Sequence, residues 1–194
     1  MKRNKEKYTN DAALMGAVAL GRHDALNEIL DRYMSVVSRV SYRILCDRHD
    51  SEDITREVFV RVWAKASDFD GRYNLTTWMH RITCKLCCRR LRRHKIKSFF
   101  WITTSVFETS APSALSPEED FITKETWEIF CRASRYLSSG QRIVFTLCDL
   151  EGLDMEEVQA VTGMASGQIE NSLLAARNKI RQELQRYGKV RWLH

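Results

Sequence analysis

Both prolines of this chain, Pro112 and Pro117, fall inside one stretch, TTSVFETSAPSALSPEED, which also holds a cluster of Ser and Thr and has no hydrophobic periodicity. Proline is the residue a helix interior tolerates least. Its confinement to a single stretch leaves every other segment free to be helical, and apolar residues on both sides recur at spacings of three and four. No segment alternates with period two, and no internal repeat is visible. The expectation is an all-α chain: two small helical domains over 10–100 and 118–188, joined by a flexible linker over 101–117, the second domain containing a helix-turn-helix. A length of 194 residues with 44% apolar composition suits two small lobes, each with a limited core.

Within the first domain, Asp24 is placed to cap a helix whose Leu26, Ile29, Leu30, Tyr33, Val37, Val40 and Ile44 share a face. Asp50 or Ser51 is the expected cap of the next helix, with Glu52 and Asp53 in its first turn and Ile54, Val58 and Val62 as its buried stripe. DFDGRYNLTT interrupts the pattern, which resumes through Trp78, Ile82, Leu86 and Leu91. In the second domain SPEED is a helix start, with Ser116 as cap and Pro117 in the first position. The pairs Ser138 with Gln141 and Asp154 with Glu157 have capping-box spacing. A short helix from Asp154, a turn at Gly163 and a final helix from about Gly167 have the arithmetic of a helix-turn-helix, which many helical hairpins share.

The net charge of +6 conceals an asymmetry. Up to Lys97 the balance is 21 basic against 12 acidic residues; from Ser98 onward it is 10 against 13. Arg72 to Lys97 holds nine basic residues and no acidic one, a block that favours a polyanionic partner over a merely solvated face. No apolar run approaches the roughly 18 residues of a membrane span, so membrane insertion is not expected. KRNKEK followed by AALMGAVALG imitates a signal peptide, but Asp11 interrupts it and GRHDA stands where a cleavage site belongs. Six scattered cysteines lack the framework of a secreted scaffold, and a reducing, cytoplasmic location is the simpler expectation.

The segment WMHRITCKLCCRRLRRHK, Trp78 to Lys95, admits two readings. Cys84, Cys87 and Cys88 share a helical face, with His80 one turn earlier, so a metal or a regulatory thiol is one. Against a metal, no second ligand pair exists, and side chains at i and i+4 spread along a helix instead of surrounding a point. The other reading is a basic helix whose cysteines are packed, with Arg89, Arg90, Arg92, Arg93, Lys95 and Lys97 contacting phosphates. Tyr73, Trp78 and His80 then offer rings for unpaired bases, although Trp78 equally suits the core stripe of Ile82 and Leu86. No metal and no cofactor are expected. An enzyme finds no support in GxxxxGK, HExxH or GxSxG motifs.

DSEDITREVFVRVWAKASDFDGRYNLTTWMHRI with its following basic helix resembles the second conserved region of bacterial sigma factors of the extracytoplasmic-function group, within the sigma-70 family. LSSGQRIVFTLCDLEGLDMEEVQAVTGMASGQIENSLLAARNKIRQEL resembles their fourth region, and together the likeness covers about residues 10 to 186. It implies an alternative sigma factor, an initiation subunit and not an enzyme, that binds core RNA polymerase and promoter DNA. An anti-sigma factor is the further partner it implies. Asp53, Arg56, Glu57 and Phe59 become candidates for the core polymerase contact. Arg72, Tyr73, Trp78, His80, Arg81, Lys85, Arg89, Arg92 and Arg93 become candidates for the downstream promoter element. Ser166, Gly167, Gln168, Asn171, Ser172 and Arg177 become candidates for the upstream element, read in the major groove.

The chain departs from the family pattern at Arg56, where Gln is frequent, and at Lys85 and Arg89, where Asn and Asp are. The usual basic residues of the recognition helix are replaced by Glu170, Ser172 and Ala175. That departure motivates a rival: a sigma-like decoy or helix-turn-helix regulator that has lost promoter-specific initiation. Asn171 to His194, with six basic residues against Glu183 alone, offers compensation.

Overall fold

A computed structural model of the chain describes residues 10–100 and 124–186. Among these residues there are eight α-helices and no strand. The expected linker at 101–117 and the helix start at Ser116 lie outside the described residues. Helices α1 (Asp11–Ala19), α2 (His23–Leu45), α3 (Arg48–Ala64) and α4 (Leu75–Phe100) precede that gap, and α5 (Lys124–Ser134), α6 (Ser139–Phe145), α7 (Met155–Thr162) and α8 (Ser166–Arg186) follow it.

The expected stripe of α2 is realised, with Ile29, Val37, Val40 and Ile44 buried against Ile54, Val58 and Val62 of α3. Truncating one of these to Ala would cost about 3 kcal/mol. Two caps differ from expectation. Helix α2 starts at His23 after Arg22, whose guanidinium holds Asp24 at 3.0 Å, so Asp24 is a first-turn acid and not the cap. Helix α3 is capped by Asp47, which accepts from the Asp50 amide at 2.7 Å. Asp50 is instead buried beneath α4, paired with Arg90 and, at 3.0 Å, with His94. Both capping boxes of the second half, at Ser138 and Asp154, form as their spacing predicts.

The two halves are docked on each other. One apolar core runs from Leu14 and Ile29 through Leu75 and Met79 to Val144, Leu147, Val158 and Ile169. A second cluster, built on Trp127, Phe130 and Phe145, receives Tyr42 and Cys46 from the end of α2. Here the Trp127 indole donates to Tyr42 Oη at 3.0 Å. Helix α2 ends at Cys46 with φ 52°, leaving carbonyls that the helix itself does not satisfy. Buried Arg142 of α6 donates to the carbonyl of Ile44 at 3.2 Å and to that of Ser134 at 2.5 Å. A cation from the second half thus completes the C-terminus of a helix in the first, where the dipole favours it.

Helix α6 passes into a π-helical turn, Thr146–Leu150, closed by the Glu151 amide donating to the Thr146 carbonyl at 2.9 Å. The turn delivers Glu151, whose side chain is 4% exposed, between Arg39 at 3.1 Å and Arg43 at 2.9 Å on α2. Arg43 also donates to the Leu150 carbonyl. With the carboxylate buried, Arg43 mostly covered and Arg39 at the rim, this triad is the main electrostatic latch between the halves.

Candidate polymerase groove and nucleic-acid surfaces

Helix α4 carries the basic block, and its burial pattern separates two faces. Leu75, Met79, Thr83, Leu86 and Cys87 point into the core, one turn apart, while Arg81, Lys85, Arg89, Arg92 and Arg93 form an exposed stripe on the other side. Cys84 and Cys87 are core residues, and burial pushes the Cys84 thiol up to about 12. Their thiols are neutral packing groups. Arg90 lies between the faces and is consumed by Asp50, and Lys95 donates to the Leu137 carbonyl of the other half at 3.2 Å. Neither contributes to the exposed stripe.

The loop before α4 adds rings to the stripe. Asn74 caps α4 by accepting from the Thr77 amide at 2.7 Å, which turns the chain so that Tyr73 stands exposed with the Arg81 guanidinium 4.8 Å from its ring centre. Arg72 is exposed beside Asp70 at 2.9 Å. Trp78 is half-buried and meets Phe69 edge to face at 5.6 Å. His80 is 4% exposed and faces the docked second half. Burial lowers its pKa, with Glu151 and Glu157 opposing and Arg39 reinforcing, and its Nε2 makes no hydrogen bond. Of the nine residues expected at the downstream element, seven are therefore exposed together; Trp78 is partly withdrawn and His80 is withdrawn entirely.

Between α2 and α3 lies an open apolar groove of about 700 Å³. Leu30, Met34, Phe59, Val60 and Trp63 line it, with Arg56 and Glu52 among its polar residues. His23 stacks on Trp63 at 4.9 Å. Met34 and Val60 are 47% and 66% exposed, an apolar patch of the kind that marks a docking surface. Of the four residues expected at the polymerase contact, Arg56 and Phe59 line this groove. Asp53 is bound to Arg56, whose guanidinium holds the carboxyl below its usual range, while Glu57 pairs with Arg61 at 2.6 Å. Sequence reasoning missed Leu30, Met34, Val60 and Trp63. Their signal was available in the apolar residues on α2 and α3 that exceed what one buried stripe needs.

The turn from α7 to α8 is closed by Gly163 at φ 71°, and Val158, Val161 and Ile169 hold the two helices together. Ser166, Gly167, Gln168 and Asn171 lie exposed at the start of α8, and Ser172 is half-buried. Gln168 accepts from the Ala165 amide at 3.2 Å, tightening the turn. Glu170 is exposed on the same segment, and Arg177 is engaged by Asp149 at 2.5 Å. This surface offers hydrogen-bonding groups with little free positive charge. No helix of the described residues is long and apolar enough to cross a membrane.

Residues 29–96 match the family model of Sigma-70 region 2, and residues 131–180 match that of Sigma-70, region 4. The chain is 25% identical over 175 residues to the ECF RNA polymerase sigma factor SigW of Bacillus subtilis, covering 86% of this chain and 92% of that protein. It is 25% identical over 181 residues to the ECF RNA polymerase sigma-E factor of Escherichia coli K12, covering 90% and 94%. Among solved structures, the sigma factor RpoE of Bartonella quintana, in complex with the anti-sigma factor NepR, superposes with a TM-score of 0.65 at 21% identity, over 84% of this chain and 98% of that one. The two regional matches occur in the order the quoted motifs predict and together span more than half of the sequence, so the chain belongs to the sigma-70 family of RNA polymerase sigma factors, in its extracytoplasmic-function group.

Proposed function

We propose that this chain is an alternative sigma factor that binds core RNA polymerase and directs it to selected promoters to start transcription. It supplies contacts and performs no bond chemistry of its own, and it acts in the cytoplasm with the polymerase. The observation that carries the reading is the exposed stripe Arg81, Lys85, Arg89, Arg92 and Arg93 on α4, flanked by Arg72 and Tyr73, within the part of the chain that matches region 2. Such a stripe gains phosphate contacts by releasing counterions, and adjacent rings suit unstacked bases of an opening duplex.

The groove between α2 and α3 is the proposed seat for a helix of the polymerase. Its apolar walls fit helix-in-groove recognition, and Arg56 and Asp53 set the register at the rim. Ser166, Gly167, Gln168, Asn171 and Ser172 would read the upstream element mainly through hydrogen bonds, with Arg177 available only after it leaves Asp149. The units proposed to carry these tasks are 10–100 and 118–188. The two promoter elements lie well apart on the duplex, and a parting of the docked halves to span them would also expose His80. The solved complex of a structural neighbour with an anti-sigma factor supports an anti-sigma protein as a partner here.

Co-elution of the full chain with bacterial core RNA polymerase on a sizing column tests the reading. Co-elution is expected for the unmodified protein and is expected to be lost in Asp53→Lys/Glu57→Lys. Absence of binding by the folded, unmodified chain to a compatible polymerase would remove the proposal.

A further inference from the structure

Where α2 ends against α5, one thiol from each half of the molecule meets the other. Cys46 occupies the C-cap of α2 at φ 52°, the only non-glycine residue with positive φ among the described residues. Glycine or asparagine is the usual occupant of that conformation, and a side chain such as Cys costs about 1 kcal/mol there. The left-handed turn aims its Sγ across the interface, 3.6 Å from Ser134 Oγ, and Cys131, one turn before Ser134 on α5, packs with Cys46 against the same Trp127 cluster. The Ser134 hydroxyl donates to the Cys131 carbonyl at 2.8 Å, which fixes this end of α5. Buried Arg142, held by the Ile44 and Ser134 carbonyls, places a positive charge beside both sulfurs.

Other cysteines lack this setting. Cys84 and Cys87 are buried on α4, and burial raises both thiols. Cys46 and Cys131, at the seam between the halves, are less buried as residues than Cys84 and Cys87. Against the raising effect of burial, Cys131 and Arg142 bring the Cys46 thiol below its ordinary pKa. The charge of Arg142, fixed by the Ile44 and Ser134 carbonyls, favours a thiolate at this seam, and Cys46 is taken as the attacking sulfur.

We propose that Cys46 and Cys131 form a reversible disulfide between the two halves on exposure to a peroxide, covalently holding the docked arrangement. The Cys46 thiolate attacks one peroxide oxygen; an S–O bond forms, the O–O bond breaks, and the departing oxygen leaves as water after taking a proton. The Cys131 sulfur then attacks the resulting sulfenic acid, an S–S bond forms, and the hydroxyl leaves as a second water with the Cys131 proton. Two thiols and one hydrogen peroxide thus become one disulfide and two waters. A cellular dithiol reductant reverses the bond by exchange. The consequence for transcription rests on the function proposed above: oxidation keeps His80 and the interface latch shut and withholds the sigma factor from promoters until it is reduced.

The full chain, reduced and then treated with hydrogen peroxide, provides the test. After remaining thiols are alkylated, non-reducing tryptic digestion should yield ILCDR joined to ETWEIFCR, two hydrogens lighter than the separate peptides and abolished by dithiothreitol. This pair should exceed every other cysteine pair at least tenfold, and it should disappear in Cys46→Ser and in Cys131→Ala. Amide exchange around His80 and Glu151 should slow at least tenfold in the oxidised protein and stay unchanged in either variant. Oxidation of the thiols without this linked peptide, its equal yield from urea-unfolded chain, or unchanged exchange in the linked protein would each overturn the proposal. A chain that forms the bond yet never binds core polymerase when reduced would leave the disulfide standing and remove the transcriptional role alone.

Discussion

Helices α4 and α8 are both proposed to contact DNA, yet they would meet it with contrasting electrostatics. The exposed face of α4 carries five cationic side chains along one stripe, whereas the start of α8 exposes Ser166, Gln168, Asn171 and Glu170, with Arg177 already held by Asp149. Affinity and its salt dependence should therefore reside in the first half, and the second half should contribute selection through hydrogen bonds at small electrostatic gain. The docked arrangement sharpens the contrast. It covers His80 near the beginning of α4 while leaving the start of α8 exposed.

The largest expected effect comes from breaking the latch. Glu151→Ala leaves Arg39 and Arg43 without their buried carboxylate and should cost the docked arrangement about 3 kcal/mol, more than 100-fold in the ratio of docked to open molecules. Faster amide exchange around His80, with α8 amides near Asn171 little changed, is the expected pattern; equal acceleration in both places would dissolve the distinction between the helices. Next comes Arg92→Glu/Arg93→Glu, which should weaken promoter complexes about 100-fold at moderate salt and reduce the salt slope by about 2. Filter binding across a salt series reads both quantities, and an unchanged slope would move the phosphate contacts elsewhere.

A smaller effect is expected at Glu170. Glu170→Lys should raise affinity for duplex containing the upstream element by roughly tenfold or less and add about 1 to the salt slope, while relaxing sequence preference. Competition between cognate and scrambled duplexes measures that change. The smallest concerns pH. Burial lowers the pKa of His80 in the docked form below the 6.5 of an exposed imidazole, so below about 6.5 the open form binds the proton and the docked form does not. Docking should be fully favoured above that value and should weaken on acidification toward the depressed pKa. Exchange near His80 followed from pH 7.5 to 5.5 should accelerate beyond the intrinsic pH effect in the unmodified chain and not in His80→Phe.

How far the sequence is legible varies with the range of the interaction involved. The capping boxes at Ser138 and Asp154 are readable because both partners lie three residues apart and compete with nothing else. The cap of α3 was misplaced by one turn because Asp47, Asp50 and Ser51 all have capping chemistry, and only the arrival of Arg90 and His94 from α4 withdraws Asp50 from the choice. The cationic block of α4 is legible as charge, but the sequence does not show that Arg90 turns to Asp50 and Lys95 to the Leu137 carbonyl, nor does it announce the second half that covers His80, expected beside those charges as a ring for unpaired bases. The groove was half seen: Phe59 and Arg56 were named, but Met34 and Val60 become a surface only when α2 and α3 lie side by side.

Period, charge blocks and local caps are set by neighbours within about four residues, so the helices, the cationic stripe of α4 and the turn between α7 and α8 follow from the sequence by itself. Tertiary structure alone decides that Glu151 reaches Arg39 and Arg43, that Arg142 closes the end of α2, and that Cys46 meets Cys131. Each of those contacts joins residues separated by more than 80 positions. Their energy arises from burying charges, carbonyls and thiols between two preformed helical surfaces, a quantity that no local pattern encodes.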